Sequence, residues 1–210
     1  MGDRGIQNPQ CQGRISGVTR AWGEEHRAQL VALLKRDALR LGTFTLASGR
    51  SSHYYIDGRR VTLLAEGSQL IAVGMLDLLA DYPEVTAVGG LTLGADPIVG
   101  ATLALAATHG RPGLRGFLVR KQAKTHGTLN LVEGPLEPGS VVAIVDDVAT
   151  TGGSSAQAIE AVEALGCRVA LVAVVLDRLE GAAQAFESRG LVFRPLLTIR
   201  DLGVEPLRVV

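Results

Sequence analysis

The chain has 210 residues, 47% hydrophobic and 20% charged, with 26 Gly and 8 Pro; this excludes a disordered or collagen-like chain and suits one large domain better than two. Lys+Arg and Asp+Glu balance at 21 each, which argues against a generic nucleic-acid binder. Cys11 and Cys167 lie far apart without CxxC or metal-ligand spacing, and the apolar runs, such as Val169–Leu176, are strand-sized; the expectation is a reducing, cytoplasmic setting with no membrane span.

Met1 to Arg20 is polar and has no apolar signal core, so residues 1–22 read as a disordered tail and 23–210 as a single domain. Helical spacing starts near Glu24: Leu30, Leu33, Leu34, Ala38 and Leu41 recur three or four apart, with Gly42 as the stop. Phe44 to Asp57 reads as extended chain around a Ser48-Gly49 turn, and a second helix is predicted over Gly67–Tyr82. A regular alternation follows. Val85–Gly89 is a short strand, Gly90–Asp96 a Gly-bearing turn, and Pro97 opens a helix that runs to about His109. Leu114–Val119 is the next strand, and Lys121–Gly139 is a long polar connection. Val141–Val145 is an apolar strand, Ser155–Leu165 a helix and Val169–Leu176 another buried strand. Strand–helix–strand units of this kind predict an α/β fold, a parallel twisted sheet flanked by helices, with ligands at the carboxyl ends of the strands. Residues from about 23 to 65, with 191–210, are expected to form a small cap, or hood, over the sheet.

The most informative stretch is VVAIVDDVATTGGSS, Val141 to Ser155. A buried strand ends in two carboxylates, Asp146 and Asp147, and Val148, Ala149, Thr150, Thr151, Gly152, Gly153 and Ser154 lead into a helix. Free N–H groups at a helix start, glycines that let backbone approach an anion, and small hydroxyls together make a phosphate cradle. Carboxylates repel phosphate, so the acid pair makes sense on ribose hydroxyls, or on a Mg²⁺ that phosphates share. Neither a Walker GxxxxGK[ST] nor a GxGxxG fingerprint is present. A second segment, Arg120-Lys121-Gln122-Ala123-Lys124-Thr125-His126-Gly127, concentrates cations in a chain of zero net charge and has no apolar anchor; it reads as a mobile lid over an anionic group.

IVDDVATTGGS resembles the phosphoribosyl-diphosphate (PRPP) motif of the type I phosphoribosyltransferases. The RKxAKxHG spacing of Arg120–Gly127 and the FTLxSGxxSxxYxD pattern of Phe44–Asp57 are similar to the orotate phosphoribosyltransferases. The resemblance implies the type I phosphoribosyltransferase fold and transfer of ribose 5-phosphate from PRPP to N1 of orotate, giving orotidine 5′-monophosphate and diphosphate for UMP synthesis. It implies that Asp146 and Asp147 contact the ribose and that Ala149 to Ser154 hold the 5′-phosphate, with Val148 also in the PRPP site. Arg120, Lys121, Lys124 and His126 would close over the diphosphate, across the interface of a homodimer. Tyr54, Tyr55, Thr150 and Arg178 would meet orotate, and Lys124, His126 and Asp147 would carry the chemistry. Mg²⁺ is the implied cofactor, held mainly by PRPP and water. A guanidinium such as Arg178 is a natural bidentate partner for a carboxylate; its bland alternative is a surface ion pair with Asp177 or Glu180. The pattern departs from some family members at Ala47, where they carry Lys, and at Thr92-Leu93, where they carry an aromatic–Lys pair. Two alternatives stay open at this level: a phosphoribosyltransferase for another base, and a PRPP-sensing regulator without catalysis.

Overall fold

A computed structural model describes residues 22–45, 51–122 and 131–207. Helix α1, Glu24–Leu33, runs on through a π turn at Leu34–Ala38 and stops there. Leu30, Leu33, Leu34 and Ala38 are buried as their spacing predicts, but Leu41 is 71% exposed. The chain has become strand β1, Leu39–Thr45, which pairs antiparallel with β2, Ser51–Ile56, from Leu39 opposite Ile56 onward. Cross-strand pairing therefore overrides the helical period beyond Ala38, since periodicity is a local signal and the ladder a tertiary one. A single turn, α2 (Arg59–Thr62), and the long α3 (Ala65–Ala80) complete the N-terminal part.

The main sheet holds β3 (Ala87–Leu91), β4 (Arg115–Val119), β5 (Val132–Glu133), β6 (Val141–Ala149), β7 (Arg168–Asp177) and β8 (Phe193–Thr198), in the order β5-β4-β3-β6-β7-β8. The β3–β4, β3–β6, β6–β7 and β7–β8 pairs are parallel; only β5, a two-residue strand within the polar connection, runs antiparallel, against β4. The connecting helices are α4 (Asp96–Ala106), α5 (Gly153–Glu163) and α6 (Ala182–Glu187). Pro97 sits in the first turn of α4, where a missing N–H costs nothing.

Alternation along the strands sorts side chains to two cores. Ala143, Val145, Leu171, Ala173 and Val175 join the core built with α1, α3 and α4; Val142, Ile144, Val172 and Val174 join the one built with α5 and α6. Two differences from the sequence expectation matter. Strand β6 continues past Val145 through the acid pair, because β7 offers a partner as far as Asp177 opposite Ala149. Phe193–Thr198, assigned from sequence to the hood, is instead the edge strand beside β7. The chain beyond it does return to the N-terminal part: Arg27 bonds Leu196 O at 2.9 Å and pairs with Asp201 at 2.7 Å, and Ile199, Leu202 and Val204 share a core with Leu30, Leu34 and Tyr54. Among the described residues, no helix is long and apolar enough to cross a membrane.

Candidate functional site

In this strand order the chain leaves β3 toward β4 on one side and continues from β6 to β7 and β8 on the other. The crevice between the carboxyl ends of β3 and β6 is thus the switch point at which open α/β sheets take ligands. One wall is the turn after β3, containing Gly94; the other is the acid pair at the end of β6. They approach closely. A Cβ added at Gly94 would collide with Asp146 Oδ1 and lie 2.8 Å from Asp147 Oδ1. The hood closes the third side, since a Cβ at Gly58 would lie 2.8 Å from Asp147 Oδ2. The Thr92–Leu93 peptide in the β3 turn is cis.

Asp146 is 5% exposed. Its Oδ1 accepts the Asp147 N–H at 3.0 Å, and Asp147 Oδ1 accepts the Val148 N–H at 2.9 Å. The Ser155 hydroxyl stands 3.5 Å from Asp146 Oδ2. Burial pushes the Asp146 carboxyl up to about 8, with the charge of Asp147 as the next cause. Burial also raises Asp147, opposed by the contact with Asp146, by the Val148 amide and by the positive charge of Arg59. Arg59 is held by Asp57, Nε to Oδ1 at 2.8 Å and Nη2 to Oδ2 at 3.2 Å.

Past Ala149 the chain turns through Gly152, whose φ of +84° is the left-handed region. Side chains are excluded there twice over, because a Cβ would also lie 2.7 Å from the Phe186 ring. This turn opens α5 with no side-chain cap, so the first N–H groups of the helix are left for an anion. Thr150 is half-buried, and Thr151, Gly153 and Ser154 are exposed. Val148 and Ala149 belong to the strand, and the Ala149 carbonyl accepts the Arg178 N–H at 2.9 Å, joining this loop to the one after β7.

That second loop carries a buried guanidinium. The Arg178 side chain is 9% exposed and lies 4.7 Å over the Tyr54 ring. Its Nε donates to Tyr54 Oη at 3.1 Å and to Glu180 Oε1 at 2.9 Å, and Tyr54 Oη donates to the same carboxylate oxygen at 2.8 Å. The ion pair with Glu180 is therefore interior rather than superficial, and Asp177 takes a different partner, the Leu179 N–H at 2.9 Å. Burial, then Glu180, pushes the Tyr54 hydroxyl up to about 12, so it stays a donor. Tyr54 is 0% exposed and Tyr55 43%. Adjacent strand residues face opposite ways, so the two rings cannot flank one ligand.

Arg120 directly follows β4, 3.7 Å from Glu133, and Lys121 is exposed. Lys124 and His126 lie outside the described residues, as does Ala47. Gly58, Arg59 and the structural part of Glu180 were not legible as site features; the Arg59-Arg60 pair, beside a Gly, was their only local signal. The crevice offers carboxylate acceptors and free helix N–H groups, and the neighbouring loop after β7 holds a buried guanidinium.

No family model matches the chain. Individual relatives do. It is 49% identical over 184 residues to the orotate phosphoribosyltransferase of Rhodopirellula baltica, covering 85% of this chain and 95% of that one. It is 46% identical over 177 residues to that of Thermosynechococcus vestitus, with 84% and 92% covered. The solved orotate phosphoribosyltransferase of Mycobacterium tuberculosis in complex with PRPP superposes with a TM-score of 0.71 at 41% identity, over 85% of this chain and 99% of that one. Identity at this level, kept across nearly the whole of each relative and matched by the fold, means that the chain belongs to the orotate phosphoribosyltransferase family.

Proposed function

We propose that this chain transfers ribose 5-phosphate from PRPP to N1 of orotate, yielding orotidine 5′-monophosphate and diphosphate, and that the crevice between β3 and β6 is where it does so. The observation that carries the reading is a buried acid pair and an uncapped helix start within nine residues of chain, an arrangement suited to the two ends of a phosphorylated sugar. Asp146 and Asp147 accept the ribose hydroxyls. Backbone N–H groups and hydroxyls of Thr150 to Ser154 take the 5′-phosphate, with Val148 and Ala149 setting the path of the strand. Arg178 faces the orotate carboxylate, Thr150 lies at the base, and the exposed Tyr55 ring is the aromatic available to it.

In the reaction, N1 gives up its proton and bonds C1′ as C1′ loses the diphosphate oxygen, which departs with the electron pair; the proton lost from N1 balances the one the diphosphate takes up. Positive charge grows on the ribose and is met by Asp147; negative charge grows on the diphosphate and is met by Arg120, Lys121, Lys124 and His126. His126 is the proton donor to the leaving group. Mg²⁺ belongs to the same reading. Among the described residues, no three His, Cys, Asp or Glu side chains converge, and an acid pair alone suits an ion carried mainly by PRPP and water. When bound, it supplies charge to the diphosphate. The working unit is a homodimer whose basic loop reaches the neighbouring site, in the cytoplasm, where the free, buried thiol of Cys167 stays reduced.

The test is the loss of orotate ultraviolet absorbance on mixing the protein with PRPP, Mg²⁺ and orotate. Consumption of orotate, with uracil and purines unused, is the expected result; a preference for another base overturns it. Lys124→Ala should lower kcat by roughly 10²–10³ without a change in melting temperature. Turnover near wild type would remove Lys124 from the mechanism.

A further inference from the structure

The loop after β7 is built more elaborately than a lone carboxylate contact needs. Arg178, Glu180 and Tyr54 form a closed buried group: Nε is shared between the phenol and the carboxylate, the guanidinium lies over the ring, and the phenol returns its proton to Glu180. The backbone enforces it. Leu179, between the two charged residues, has φ +59°, a conformation that non-glycine residues adopt only when the surroundings fix it. The Leu179 N–H is tied to Asp177 and the Arg178 N–H to Ala149. One donor has its charge matched but no aligned acceptor. Arg178 Nη2 is buried and sits 2.9 Å from Glu180 Oε1, yet none of its N–H groups is aligned on an acceptor. A buried donor without an acceptor is unfavourable until something supplies one.

We propose that Glu180 and Tyr54 are positioning residues: they lock Arg178 by its Nε edge and leave Nη2 for the carboxylate of the ligand, so that this group sets the discrimination between orotate and uracil. Two physical effects produce it. Holding the guanidinium in advance removes the cost of ordering a long side chain on binding. A base without the carboxylate leaves Nη2 unsatisfied, and sites built around a buried donor reject ligands that cannot meet it. Tyr54 thus acts through Arg178 and not on the base. The inference rests on the reading of Arg178 as the orotate contact given above.

The measurement is a set of steady-state constants for Tyr54→Phe, Glu180→Ala and Glu180→Gln, with uracil as competing inhibitor. Tyr54→Phe keeps the ring and removes only the hydroxyl, so it tests the idea even if Glu180→Ala does not fold. The KM for orotate should rise roughly 10-fold in Tyr54→Phe and more in Glu180→Ala. The KM for PRPP should stay within about 2-fold, and the change in kcat should be the smaller effect. Glu180→Gln, which keeps an acceptor oxygen, should recover part of the loss. Uracil inhibition should hardly move, so the orotate-to-uracil preference falls with the orotate KM. An active Tyr54→Phe enzyme whose preference is unaltered, or in which both KM values climb together, overturns the positioning role alone. A wild-type protein that consumes no orotate overturns this inference and the functional reading with it.

Discussion

Asp146 shows what a buried acid at the candidate site costs in stability. Burial, with the charge of Asp147 beside it, pushes the folded carboxyl up to about 8 from an ordinary value of 3.8. Between those values the folded chain holds a proton that the unfolded chain has released, so the contribution to stability is greatest below about pH 3.8 and is lost as pH rises toward 8. Asp146→Asn removes that penalty. Its melting temperature should exceed the wild type by roughly 3–8 °C at pH 8–9, and the gap should close near pH 4. PRPP should no longer raise the melting temperature of this variant. A variant less stable than wild type at pH 9 would refute burial as the cause of the shift. The residues that touch the pair obey the same logic: Gly58 and Gly94 stand where a Cβ would strike the carboxylates, which is why backbone, and not side chain, lines those walls.

At the level of elements, the β6–α5 junction does most of the positioning. The strand carries the acids in parallel register with β7, Asp146 opposite Val174, and the Gly152 turn then delivers the start of α5 directly behind them. Gly152→Ala should cost about 1–3 kcal/mol in denaturant unfolding, through backbone strain and the clash with Phe186, and should raise the KM for PRPP. Gly153→Ala is the control, since nothing lies within 4 Å of its added Cβ; its unfolding midpoint should stay close to wild type. Equal losses in both would mean that the turn conformation is not what matters. The hood strands illustrate the opposite case. Leu41 continues the α1 period in the sequence but ends up exposed, because β2 captures the chain from Leu39.

On the scale of the molecule, the sheet order gathers loops from distant parts of the chain at one edge. The turn after β3 and the acid pair in the last residues of β6 meet there, the loop after β7 is tied to the end of β6 through the Arg178 N–H and Ala149 carbonyl, and Tyr54 is brought to Glu180 by the hood from 126 residues before it. If a basic loop from the neighbouring protomer completes each site, inactive variants should complement. Mixing Lys124→Ala with Asp147→Asn under conditions that exchange subunits should restore roughly a quarter of wild-type turnover, from the one intact site in each hybrid dimer. Sustained inactivity of a mixture shown to contain hybrids would mean that each site is built within a single chain.

The strand, acid pair and glycine turn were readable from Val141 to Ser155 because their information is contiguous: apolar strand, two acids, small residues, helix. The parallel sheet followed from the alternation of elements, for the same local reason. The edge strand Phe193–Thr198 did not, since its place depends on the ladder it finds beside β7. Nor did the separation of Tyr54 from Tyr55, whose rings the strand sends one into the core and the other to the surface. Residues such as Gly58, Arg59 and Glu180 acquire their roles from partners far away along the chain, and such partnerships exist only once long-range packing has brought the segments together.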